Sequence, residues 1–279
     1  MKSFPAFGIL LRSRGTLNEL SALLAEHSGL PGPRGNLELA HSFAAAVAGM
    51  RLLEWQWDYL IALASISAGG APVNSPREFL PFCGILALGA LYGTGLPRAR
   101  RRAALAALKA AASDRRWRVR EAAAMGLQLI GERDLGALRE IVTGWLPESS
   151  LLEKRAIAAG LAHPPILGDP DFALFSLEAA RAIVASITRA GSEERKTEPF
   201  KILRQGLGYT LSVLVRHSPG EGFALLRKSA AVRDPDLAWI VRENLKKKRL
   251  TERFPREVEQ VWLTVEEANA RPPRAPGTS

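Results

Sequence analysis

Asp114-Arg-Arg-Trp-Arg-Val-Arg-Glu121 returns near the C-terminus as Asp234-Pro-Asp-Leu-Ala-Trp-Ile-Val-Arg-Glu243. Both stretches hold Trp-x-Val-Arg-Glu at the opening of a helix, the second with two extra residues after its first Asp. Arg155 and Arg204 occupy comparable early positions in the helices between. The run Arg120, Arg155, Arg204, Arg242 is thus spaced at about the length of a two-helix repeat. Self-similarity at such a period predicts stacked helical hairpins, each pair burying its apolar face on its neighbours.

Outward from these stretches the apolar residues keep helical spacing. Val119, Ala122, Ala123, Leu127 and Ile130 form one stripe, with a helix expected to end at Gly131. Leu135, Leu138, Ile141 and Val142 form the next, and Leu203, Leu207, Leu211 and Leu214 another. No stretch shows strand-type alternation between hairpin turns. The pattern predicts helices at 16–27, 37–51, 53–67, 76–92, 97–112, 116–130, 134–146, 151–161, 170–190, 198–216, 219–231, 236–247 and 255–268. Capping boxes are expected at Thr16–Glu19, Ser75–Glu78, Ser150–Glu153 and Ser218–Glu221, where a hydroxyl and a glutamate satisfy orphan amides reciprocally. Pro76, Pro170, Pro219 and Pro235 each follow a Ser or Asp, which suits the first helical position. Gly191 is expected to follow a helix end, and residues 28–35 and 69–75 to be loops. Gly206 and Gly208 lie inside a helix, where glycine implies close helix–helix contact.

Alanine and leucine dominate and only 7% of residues are aromatic, which favours helices over sheets. The one cysteine, Cys83, lies in the apolar run 79–92 and reads as a buried thiol; the absence of a cysteine framework fits a reducing compartment. That run is shorter than the ~18–20 residues of a membrane helix. No signal-type cleavage site follows Lys2 and the apolar residues Phe4 to Leu11, so the expected location is cytoplasmic. The net charge of +10 is concentrated. Arg98, Arg100, Arg101, Arg102, Lys109, Arg115, Arg116, Arg118 and Arg120 face only Asp114 within their segment, and Arg242, Lys246, Lys247, Lys248, Arg249, Arg253 and Arg256 form a second cluster. Clustered charge of one sign attracts polyanions, though a solvated face with no partner has the same sequence signature.

Asp114, Val119-Arg120, Ala123 and Leu127 resemble the second helix of a HEAT repeat, a family in which an Asp and a following Arg recur and bridge successive repeats. The match is good at 114–131, looser at 234–250 and periodic elsewhere. The resemblance implies an all-α, HEAT-like α-solenoid, a right-handed superhelix of stacked antiparallel helix pairs. It would form one domain over 1–270, with an N-terminal helical cap at 16–92, repeats at 97–268 and a disordered tail at 271–279. More distantly the chain resembles the HEAT-like DNA glycosylases that remove alkylated purines, which pair a tryptophan with an aspartate four residues later. Here glutamate stands at both equivalent places, Glu121 and Glu243.

Trp117 with Glu121, and Trp239 with Glu243, are the catalytic candidates: at i and i+4 the two side chains share a helix face and could hold a cationic base. Alternatively each Trp caps an apolar layer and each Glu pairs with an arginine. Trp55 and Tyr59, with Asp58, read as a stacking platform or as an N-terminal cap packed on the core. Candidate nucleic-acid contacts are Arg98, Arg101, Arg102, Arg115, Arg118, Arg242, Lys246, Lys247 and Lys248. His27, His41, His163 and His217 are scattered without ligand spacing, and no nucleotide-binding or hydrolase motif is present, so no metal or cofactor is expected. The functional expectation is a non-enzymatic binding scaffold whose basic face takes nucleic acid, DNA favoured, or an acidic protein, with no membrane partner. A base-excising glycosylase and a protein–protein adaptor with structural arginines are the alternatives.

Overall fold

A computed structural model describes residues 7–270; the tail expected at 271–279 lies outside the described residues. The protein is all-α, with helices and no strand among the described residues. None of these helices is long and apolar enough to cross a membrane. The chain forms two compact units that meet in sequence at Gly160–Leu161. That division falls inside 97–268, the stretch read as a continuous run of repeats.

The first unit contains α1 (Phe7–Leu10), α2 (Leu17–Glu26), α3 (Leu37–Ala48), α4 (Glu54–Ala64), α5 (Phe79–Tyr92), α6 (Arg98–Ala112), α7 (Trp117–Arg133), α8 (Leu135–Trp145) and α9 (Leu151–Leu161). Its centre is α5, buried at every one of its 14 residues, as a helix apolar on all sides must be. It packs against α2, α3, α4, α6 and α7. The approach to α7 is closest at Gly89, where an added Cβ would lie 2.5 Å from the Cα of Gly126. Glycine at 89 is what permits that crossing, while a Cβ at Gly126 would meet Leu108 of α6 at 2.9 Å. Cys83 sits inside α5, and burial pushes its thiol well above the ordinary value. In the aromatic segment at 54–59 Trp57 is core and Tyr59 hydrogen-bonds Ser21 at 2.9 Å, while Trp55 is half-buried with the Arg14 guanidinium 5.9 Å from its ring centroid and Asp58 is exposed.

The second unit contains α10 (Pro170–Arg189), α11 (Ser192–Lys196), α12 (Glu198–His217), α13 (Pro219–Ala230), α14 (Pro235–Leu245), α15 (Lys248–Thr251) and α16 (Pro255–Ala270). Here α12 is central and packs against α10, α11, α13, α14 and α15. The stripe Leu203, Leu207, Leu211 and Leu214 is its buried face. At Gly208 an added Cβ would lie 2.8 Å from Trp239 of α14, which accounts for that helix-interior glycine by close packing.

Helix starts follow local chemistry. Asn36, Asp134, Asp169, Thr197 and Asp234 each accept a hydrogen bond from an amide of the first turn. Of the four expected capping boxes only Ser150–Glu153 forms, with Ser150 N donating to Glu153 at 2.8 Å and Glu153 N to Ser150 Oγ at 3.3 Å. Thr16 Oγ1 instead donates to the carbonyls of Leu10 and Ser13, and Ser75 Oγ to that of Pro72. Ser218 makes no side-chain cap. Gly131 does not end its helix: it is buried within α7, which runs to Arg133 until Asp134 begins α8.

The decisive stretch 114–121 contributes two buried arginines. Arg116 is 2% exposed. It pairs with Asp114 at 2.7 Å and donates to the carbonyls of Ala71 at 3.1 Å and Ile66 at 2.8 Å. Arg118 is 6% exposed and pairs at 3.0 Å with Glu78, which is wholly buried. Its Nη2 donates to the Gly32 carbonyl at 2.5 Å and to Asn74 Oδ1 at 3.3 Å. The two loops expected at 28–35 and 69–75 are therefore pinned by the first turn of α7. Removing one partner of a buried ion pair strands the other charge at a cost of about 3–5 kcal/mol. Arg118→Met is expected to lower unfolding stability by that order in urea titration. Adding Glu78→Gln should recover a substantial part of the loss; a double variant as unstable as the single one would show that the pairing is not the cause.

Candidate functional site

The opening of α7 borders a cleft of about 250 Å³ lined by Arg34, Gly35, Leu37, Phe79, Phe82, Trp117, Arg118, Glu121 and Met125. Its lining is largely apolar. Phe79 and Phe82 are stacked, with ring centroids 5.8 Å apart. Trp117 forms an exposed wall, 48% accessible. Glu121, one turn further along α7, pairs with Arg155 of α9 at 2.5 Å. Sequence candidates Trp117 and Glu121 are thus brought together at a cavity. Arg118 reaches the same cavity, but its guanidinium is engaged with Glu78. The sequence assignment of Arg118 to phosphate contact is therefore corrected: its charge is taken up by the buried carboxylate of Glu78, which the sequence pattern assigns to the capping box Ser75–Glu78.

The second tryptophan is placed differently. Trp239 is half-buried, packed on Gly208 and covered by the Arg204 guanidinium 4.0 Å from its ring centroid. Arg204 also pairs with Asp236 at 2.8 Å. Glu243 pairs with Lys246 at 2.6 Å, and this hydrogen bond is the main cause that holds its carboxyl below the ordinary value. The geometry around Trp239 and Glu243 is that of a packed, covered layer. The recurring arginines Arg155 and Arg204 both link one helix to another, α9 to α7 and α12 to α14.

Ion pairs consume much of the first basic cluster. Arg100 reaches Glu54 and the Leu52 carbonyl, and Arg120 donates to the carbonyls of Asp114 and Arg115. Arg101 lies 4.8 Å from the Tyr92 ring centroid. Arg98, Arg102 and Arg115 are exposed and have no carboxylate partner among the described residues.

In the second unit the cationic residues gather around an aromatic one. Tyr209 of α12 is 52% exposed. Arg249 donates to its hydroxyl at 2.9 Å, with the guanidinium 4.7 Å from the ring centroid, and the Lys247 ammonium is 5.8 Å from it. Lys246 and Lys248 are exposed on the same segment, and Arg242 is half-buried on α14. Tyr209 was not among the sequence candidates. Its signal is positional: it falls two residues after Leu207 and two before Leu211, off the buried stripe, so an aromatic ring there must meet solvent.

Against known proteins, the chain matches no family model, no curated protein and no solved structure. The fold and the surfaces together define an all-helical protein with one apolar cleft bordered by Trp117 and Glu121 and one cationic–aromatic surface around Tyr209.

Two aspartates of the repeated stretches carry shifted titrations. Burial by itself would raise Asp114, but hydrogen bonds from the Arg116 side chain and amide, with the charges of Arg116 and Arg120, hold it below its ordinary value. Burial likewise opposes the shift at Asp234, where Arg195, pairing at 2.6 Å, and the amides of Leu237 and Asp236 prevail. A depressed folded-state value contributes stability in full above the unfolded value, about pH 4, which is lost as pH falls through the folded value. Asp114→Asn and Asp234→Asn are each expected to lower stability at neutral pH and to flatten its decline on acidification, read from urea midpoints across pH. A variant that loses stability in acid as steeply as the wild type would contradict the assignment.

Proposed function

We propose that the protein is a non-enzymatic, HEAT-like helical scaffold that binds nucleic acid. The observation that carries the reading is the exposed Tyr209 ring framed by Arg249 and Lys247, with Lys246 and Lys248 beside them. A π-face bordered by cations offers a base a stacking partner and its phosphates a counter-charge, a combination that tolerates any sequence. The unpaired arginines Arg98, Arg102 and Arg115 add positive field on the first unit. The repeat reading is supported by Arg155 and Arg204, which bridge helices as the recurring arginines of HEAT repeats do.

A second reading attaches to one specific feature, the exposed Trp117 with Glu121 at the apolar cleft. An aromatic wall beside a carboxylate suits a cationic ring, the chemistry that excision of an alkylated purine requires. Glu121 would have to release Arg155 to act there. Assay of base release from alkylated duplex, with Glu121→Gln as control, decides this reading; no release, or release that the variant retains, removes it.

Binding of a fluorescent single strand and its matched duplex, DNA first and then RNA, across a salt series tests the main proposal. Affinity should fall steeply with salt. Tyr209→Ala is expected to weaken single-strand binding roughly 5- to 150-fold, equivalent to about 1–3 kcal/mol per stacked base. Lys247→Ala with Arg249→Ala should shallow the logarithmic salt slope by about 1.4, at ~0.7 per phosphate contact. Absence of binding at low salt would overturn the proposal and leave the adaptor reading, in which the arginines hold helices together.

A further inference from the structure

The second unit holds a cavity of about 610 Å³ that the nucleic-acid reading does not use. Its cationic lining comes from Arg216, at the end of α12, and from Arg253, which follows α15, and His217 adds an imidazole beside them. Its apolar lining includes Leu167, Pro170 and Leu174, the last an exposed leucine. Arg216 and Arg253 are exposed, and neither has a carboxylate partner among the described residues. The only acid in the lining is Glu221, which is drawn toward Arg181 at 3.5 Å.

We propose that this cavity binds the phosphate monoester of a small organic molecule, with the phosphate on Arg216, Arg253 and His217 and the organic part on Leu167, Pro170 and Leu174. Three features argue for this ligand class. Two guanidinium groups without a carboxylate partner among the described residues match the charge of a phosphate dianion, and arginine presents paired N–H donors to its oxygens. The volume far exceeds that of a bare ion, whose share would be close to a few waters at ~30 Å³ each. Much of the remaining lining, Leu167, Pro170, Leu174 and Pro219, is apolar and stands beside the polar Ser218 and Glu221, as in small-molecule sites where a few polar groups fix orientation. The electrostatics agree: burial first, then the charges of Arg216 and Arg253, lower His217, while the Leu167 backbone carbonyl pulls it up. A bound dianion would reverse the influence of the two arginines on the imidazole.

The test uses the full chain with phenyl phosphate as probe, followed by calorimetry and by the ring proton signals of His217. Phenyl phosphate should bind and move those signals, inorganic phosphate should bind at least tenfold more weakly, and phenol should not bind. Arg216→Gln with Arg253→Gln, both at exposed positions, should weaken phenyl phosphate at least tenfold. Leu174→Asp should weaken phenyl phosphate more than inorganic phosphate. A 5′-phosphorylated dinucleotide separates the two sources of a terminal phosphate. If it binds as phenyl phosphate does and the double variant loses both, the phosphate site stands with a nucleotide as its carrier; if only phenyl phosphate binds, the carrier is another small ester. Tyr209→Ala should leave all of these affinities unchanged, so failure here and failure of the nucleic-acid reading are distinguishable. No binding of phenyl phosphate, or equal binding by the double variant, would overturn the proposal.

Discussion

The first unit depends on what Arg116 and Arg118 do at the opening of α7. Two guanidinium groups enter the interior, where an uncompensated charge would be severely penalised. Their positions are set by Asp114 and Glu78 and by the carbonyls of Gly32, Ile66 and Ala71. This constraint fixes the loops on either side of α3 and α4 against α7. Arg34, Gly35 and Leu37 are thereby delivered to the edge of the cleft that Trp117 closes. The cleft is a consequence of the clamp: remove the arginines and the wall formed by 34–37 has no anchor on α7.

The second unit solves a similar problem with different residues. Asp234 caps α14 and, with Asp236, receives Arg195 from α11, while Arg204 of α12 joins Asp236. Both repeated stretches therefore place an aspartate before a helix and surround it with arginine. In the first unit the arginine follows in sequence, as Arg116; in the second it comes from a neighbouring helix, as Arg195. The motif preserves the electrostatic arrangement while changing which segment supplies the cation.

The helices were largely legible because their causes are local. Apolar spacing marks α7, α8 and α12, and an acceptor followed by Pro marks the starts of α10 and α14. The capping glutamates misled where a stronger partner lay elsewhere: Glu78 has the sequence position of a capping residue, but Arg118, 40 residues later, draws it inward. Charge was the least legible quantity. Arginines 116 and 118 count toward a basic cluster in sequence, yet neither is available to a ligand: Arg116 folds back onto Asp114, two residues away, and onto the carbonyls of Ala71 and Ile66, while Arg118 pairs with Glu78 across 40 residues, which leaves no local trace. Tyr209 escaped attention for the opposite reason, being a single exposed aromatic whose cationic neighbours, 38 and 40 residues downstream, only packing brings near.

The span of these pairings bears on synthesis at the ribosome. Arg118 meets Gly32, 86 residues earlier in the chain, and Asn74 and Glu78, 44 and 40 residues earlier. Until residue 118 has emerged, Glu78 remains a hydrated carboxylate directly ahead of the wholly apolar α5. A nascent chain that stops short of α7 therefore exposes the most hydrophobic helix of the protein with its anchoring cation still untranslated. Such an intermediate has the surface that chaperones recognise, and its dwell time is set by how quickly the segment 93–118 is read.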